Sequence, residues 1–122
     1  MKLINCTGHP IDVYLEGKFA YTLPVTKYCA FIKSRSKEIG TLLDAPIYNV
    51  KFLKVIGLPD PQEGSFLIVS APVAAQALKI KSDRTDLLVP KVLKRKNNSV
   101  YGCSGFILRT KDDNIDELMD IF

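Results

Sequence analysis

Histidine occurs once and cysteine three times among 122 residues, so most catalytic and metal-binding constellations lack their parts. A Ser–His–Asp or Cys–His arrangement must use His9, with Cys6 as the nearest nucleophile, yet no nucleophile elbow accompanies them. His9 stands before Pro10 and reads more simply as a turn residue that bonds local backbone. Cys6-x-x-His9 with Cys29 and Cys103 lacks the second close pair of a tetrahedral zinc site. No metal and no cofactor is expected. Three cysteines far apart also make a poor disulfide framework, and they read as free thiols packed like small hydrophobes. There is no Walker loop, because Gly102-Cys103-Ser104-Gly105 is not followed by Lys. Nor is there an apolar run of about 20 residues for a membrane span. Polar residues follow Leu3-Ile4 at once, without the apolar core of a signal peptide. The expected location is the cytoplasm, with no membrane partner.

What the chain does contain is core-forming material and an uneven distribution of charge. Hydrophobic residues make up 47% and charged residues 25%, enough for one domain without staples. The net charge is +4. Residues 111–122 hold Lys111 against Asp112, Asp113, Asp116, Glu117 and Asp120, a net of −4, which leaves +8 for residues 1–110. The chain divides accordingly into a strand-rich domain, 1–110, and an acidic amphipathic tail, 111–122. A basic body attracts anionic partners and an acidic tail can screen it in cis; plain solubility charge is the competing reading.

Short strand signals dominate the pass along the chain. Leu3–Thr7 ends at Gly8-His9-Pro10, and Ile11–Leu15 turns through Glu16-Gly17-Lys18 into Phe19–Leu23 as a hairpin closed by Pro24. Tyr28–Lys33 predicts a further strand, followed by a polar stretch, Ser34–Lys37. Ile47–Ile56 alternates, and its more apolar set, Tyr48, Val50, Phe52, Lys54 and Ile56, is expected to face inward. Residues 57–64 must be loop. Ser65–Ser70 reads as a buried strand. Ser70 is a good N-cap for a helix with Pro72 in its first turn and a face of Val73, Ala74, Ala77 and Leu78. Asp86–Pro90 is a short strand stopped by proline, and Val100–Arg109 is a strand whose two glycines suggest a bulge or a close backbone approach. The fold class predicted is α+β: a mixed or antiparallel sheet around one short central helix, with a C-terminal acidic amphipathic helix.

Two segments invite partners. Lys91, Lys94, Arg95 and Lys96 form a basic cluster near a turn with Tyr101 just beyond, a pattern that can hold phosphates and stack a base. It matches no recognised nucleic-acid motif, and a solvated surface explains it too. In the tail, Ile115, Leu118, Met119 and Phe122 recur at helical spacing. The prediction is a short helix from Asp112 or Asp113 with Leu118 and Phe122 docked in a groove of this chain, a second copy or a partner.

Several blocks also resemble an uncharacterised family of small phage and bacterial proteins. They are the opening Asn5-x-Thr7-x-His9-Pro10 and the central Gly57-Leu58-Pro59-x-Pro61-x-Glu63-Gly64-Ser65, which runs on into Ile68-Val69-Ser70. Asp86-Leu87-Leu88-Val89-Pro90 and Gly102-Cys103-x-Gly105-Phe106 continue the likeness, which covers most of residues 1–109. The resemblance carries no activity and implies an accessory origin in phages or mobile elements, hence a host cytoplasm. Asn5, Thr7, His9, Glu63, Ser70, Arg84, Asp86 and Gly105 are the candidate ligand-binding residues. The expected function is that of a non-catalytic binding protein, a phage accessory or anti-defence factor that sequesters a nucleotide-like anionic ligand or blocks a host protein. The alternative is a nucleic-acid-binding module on the Lys91–Lys96 patch, with a small hydrolase or transferase ranked last.

Overall fold

The computed structural model describes residues 2–96 and 99–112; the side chains of residues 52, 53, 93–96 and 99–101 lie outside that description. The elements in chain order are β1 (Lys2–Asn5), β2 (Ile11–Leu15), β3 (Lys18–Leu23), β4 (Phe31–Leu42), β5 (Ala45–Ile56), β6 (Ser65–Ile68), α1 (Ala71–Ile80), β7 (Leu87–Lys96) and β8 (Ser99–Arg109). Six strands form one mixed sheet in the order β1-β6-β7-β8-β2-β3, and β4 and β5 form a separate two-stranded sheet. The fold is thus α+β, mostly strand with one short helix among the described residues. The C-terminal helix expected for residues 113–122 falls outside the described residues.

Three neighbouring pairs of the mixed sheet are parallel, β1–β6, β6–β7 and β2–β8, and α1 makes the crossover of the second. β6 and β7 are parallel neighbours, so the chain must return over the sheet face, and a helix is the usual bridge. Ser70 caps it, its Oγ accepting from the Val73 N–H at 3.4 Å, with Pro72 in the first turn. The helix buries Val73, Ala74 and Ala77 against Ile4, Leu67, Val69, Leu87 and Val89 of the sheet. The base of the β4–β5 sheet closes over it, with Ile32, Val55 and Leu58 packed on the same cluster. The opposite face of the sheet carries a second cluster, Ile11, Val13, Ile68 and Cys103, with Leu23, Leu88 and Phe106 beside it. Leu67 and Ile68 point to different clusters because successive strand residues face opposite ways.

Two parts of the sequence reading need correction. The polar stretch Ser34–Lys37 does not follow the strand but belongs to it, in β4, which runs on to Leu42. Pro90 does not end its strand either. β7 continues to Lys96, with the Pro90–Phe106 pair next to a register shift. The Lys91–Lys96 run therefore lies along a strand. The register also slips by one residue between the Pro90–Phe106 and Val92–Cys103 pairs, around Ser104-Gly105, in keeping with the bulge expected of the glycines.

The largest departure concerns β5. Its Tyr48 and Val50, expected inward, are 56% and 50% exposed. β4 and β5 pair only with each other, 12 residues each, and beyond Lys33 every described side chain of this ribbon is exposed. Beyond Lys33 it extends from the body by about 30 Å of strand.

Candidate functional site

The expected ligand-binding residues do not form one site. Asn5, Thr7 and His9 do converge, at the end of β1. Thr7 donates its backbone N–H (3.0 Å) and its hydroxyl (2.6 Å) to Asn5 Oδ1, and the His9 N–H donates to Thr7 Oγ1 at 3.3 Å. Asn5 Nδ2 points the other way, to the carbonyls of His9 (2.7 Å), Pro24 (3.2 Å) and Leu23 (3.4 Å). Since β1 and β3 are the two edges of the sheet, this carboxamide ties one edge to the other and the sheet nearly closes. Asn5 is 3% exposed and its polar atoms are taken by the fold itself.

The others lie elsewhere. Ser70 caps α1. Glu63 is exposed, next to Gly64, whose carbonyl accepts from Lys2. It therefore sits at the start of β1, the far end from Asn5. Gly105 lies in the irregular part of β8. Arg84 and Asp86 are buried and joined by two hydrogen bonds, with Arg84 Nη2 also donating to the Pro59 carbonyl at 3.0 Å. Cys6 is fully buried nearby; desolvation pushes its thiol up to about 11, Arg84 opposing that shift and Asp86 and Cys29 adding to it. Desolvation also raises the buried Cys103 thiol, while a backbone hydrogen bond from Gly105 works against it. A thiol held protonated is a poor nucleophile. A cleft of about 170 Å³ runs between Val55, Leu58, Ala77 and Ile80, with Arg84 and the Lys81–Asp60 ion pair (3.2 Å) at its rim. Small-molecule sites usually enclose about 300–1,000 Å³. Among the described residues no group of three His, Cys, Asp or Glu side chains is placed to hold a metal ion, and no helix is long and apolar enough to cross a membrane.

The β4–β5 ribbon carries what the body does not. Cross-strand partners share a face, so the pairs Lys33–Lys54, Arg35–Lys51 and Lys37–Asn49 put Lys33, Arg35, Lys37, Lys51 and Lys54 on one side. The other side continues from the core-packed Ile32–Val55 pair into Ser34, Ser36 with Val50, and Glu38 with Tyr48. A bulge makes this sorting. The partner of Lys33 is Lys54 but that of Ser34 is Phe52, so Leu53 is an extra residue and Lys54 joins Lys51 instead of Val50. Strict alternation, assumed from the sequence, puts Lys54 on the wrong face.

Two of these pairs set like charges directly opposite each other, which destabilises a ladder. None of the five cations enters an ion pair among the described residues. The ribbon's acids are Glu38, on the other side, and Asp44, in the turn. The readable signal was Lys33-x-Arg35-x-Lys37, the spacing of one strand face, hidden by the serines between them. Of the Lys91–Lys96 cluster, Lys91 is exposed on β7 and the side chains of Lys94, Arg95 and Lys96 lie outside the described residues, as do Ile115, Leu118, Met119 and Phe122. No family model matches the chain, nor does any curated protein or solved structure.

Proposed function

We propose that this is a non-catalytic binding protein whose ligand is a nucleic acid, held by its phosphates along the basic face of the β4–β5 ribbon. The observation that carries the reading is the row of cations on one exposed face, two pairs of them opposed and unneutralised. Opposed like charges cost stability in the free protein and are relieved when a polyanion lies between them. Residues two apart on a strand repeat every 6–7 Å or so, which makes the face a track for an extended chain of charges. A free nucleotide-like anion shares the phosphate chemistry but uses only a fraction of that track, and the cleft beside α1 is small for it.

The test is fluorescence anisotropy of labelled single-stranded and duplex oligonucleotides across a salt series, with a free nucleotide as competitor. Affinity should fall steeply with salt, and Arg35→Gln with Lys51→Gln should reduce the logarithmic slope by about 1.4–1.8, at about 0.7–0.9 per lost phosphate contact. Neutralising Lys91, Lys94, Arg95 and Lys96 in a separate variant measures the share of the β7 cluster. Affinity and slope unchanged by the ribbon substitutions would sink the proposal.

A further inference from the structure

The tip of the ribbon is unlike its shaft. Leu42 pairs with Ala45, so Leu43 and Asp44 are the two central residues of the turn, and both have positive φ, 50° and 64°. A two-residue turn of this kind normally takes Asn-Gly or Asp-Gly, because side chains beyond Cβ resist the left-handed region. The corresponding turn between β2 and β3 does use a glycine, with Glu16 at φ 52° and Gly17 at 77°. Asp44 tolerates the geometry; Leu43 does not gain from it and is 94% exposed. Leu42 beside it is 65% exposed, and Ile39, the extra residue of the second bulge, 62%. A strained apolar side chain in full solvent, at the end of a basic arm, satisfies nothing within the molecule.

We infer that Leu43, supported by Leu42, is a wedge that enters the base stack of a duplex while the basic face lies along its phosphates. The inference rests on the ribbon reading above and adds to it the form of the ligand and the deformation imposed on it. A duplex groove admits a two-stranded ribbon lengthwise, and apolar side chains inserted between base steps unstack and kink the helix. An anionic membrane fits less well. Interfacial insertion reaches about 5–10 Å deep, while Lys37, the nearest cation of the face, stands about 15–20 Å back along the strand. That distance exceeds a screening length of about 8 Å, and Asp44 meets the anionic surface first.

The chain has no tryptophan, so Leu43→Trp in the full-length protein gives one fluorophore at the tip. It is titrated with a duplex of about 30 base pairs carrying end labels for energy transfer and an internal 2-aminopurine, and separately with phosphatidylserine vesicles. Duplex should quench the tryptophan, and the wild-type protein should shorten the end-to-end distance and brighten the 2-aminopurine. Leu43→Asn suits the left-handed position, so its melting temperature should not fall. It should keep the salt slope and lose both bending and unstacking. Steep salt-dependent binding with no bend in the wild type, or a bend that survives Leu43→Asn, overturns the wedge and leaves the ribbon reading standing. No duplex binding overturns the wedge, and if single strands do not bind either, with a blue-shifted tryptophan on vesicles, the ribbon reading falls with it.

Discussion

Arg84 and Asp86 meet fork to fork, Nε to Oδ1 at 2.9 Å and Nη2 to Oδ2 at 2.8 Å, with side chains only 5% and 9% exposed. The pair ties together the 57–64 loop and β6. Arg84 reaches the Pro59 carbonyl of the 57–64 loop, and the Asp86 carbonyl accepts from the Leu67 N–H of β6. Arg84→Met or Asp86→Leu alone strands a buried charge and should cost about 3–5 kcal/mol, whereas the double substitution should recover most of that loss. Urea unfolding of the two single variants and the double variant closes the cycle. Additive losses would show that the two groups act independently.

Asn5→Ala removes the link between the sheet's edges and takes the carboxamide donor from the Leu23 and Pro24 carbonyls, while the His9 carbonyl keeps the Thr7 hydroxyl. A loss of about 2–4 kcal/mol is expected, from unsatisfied groups at about 1–3 kcal/mol each. Asn5→Asp should be worse, since it turns a carboxylate oxygen toward the same carbonyls. Hydrogen exchange should show β1 and β3 losing protection before β7 and β8.

Thiol labelling should separate the cysteines cleanly. Cys29 is exposed, while Cys6 and Cys103 are buried, so one thiol should react rapidly near pH 8 and the other two only on unfolding. The raised Cys6 thiol also sets a sign. Between the ordinary value of 9.0 and about 11 the unfolded chain gives up a proton that the folded protein keeps. Stability should therefore fall as pH rises through that window, and Cys6→Ala should remove this part of the slope. Denaturation midpoints from pH 8 to pH 11 measure it.

Two glycines of similar backbone should respond very differently to alanine. Gly57 (φ 82°) is packed against the Cys29 carbonyl, which a Cβ would overlap, while nothing stands near Gly17 (φ 77°). Gly17→Ala should cost only the left-handed conformation, about 1–2 kcal/mol. Gly57→Ala must also move the 28–30 backbone and should cost clearly more. Thermal melts of both variants decide it, and equal losses would show that the contact is soft.

Much of the body was legible because its signals are local. The Glu16-Gly17 turn, the Ser70 cap with Pro72, and the apolar run Phe66–Val69 each specify their element without help from distant residues. The ribbon was not, for two physical reasons. Ser34 and Ser36 weaken the strand pattern, whose other half lies well over ten residues further on, so the strand was ended at Lys33 and Ser34–Lys37 read only as a polar stretch. Bulges cannot be seen in one strand alone, because an extra residue is extra only relative to its partner. Asn5, Thr7 and His9 were grouped by position and do converge, but Asn5 Nδ2 also donates to the Leu23 and Pro24 carbonyls, which nothing in the motif announces.

The two bulges of the ribbon also govern how its length can change. Leu53 and Ile39 have no cross-strand partner, so losing either one restores plain alternation and leaves each cation on its present side. A deletion at Ser34 or Ser36 instead carries part of the strand through half a pleat and scatters the charged row across both faces. Deletions in this arm are therefore neutral at two positions and disruptive between them, a constraint on its descent that substitution alone does not reveal.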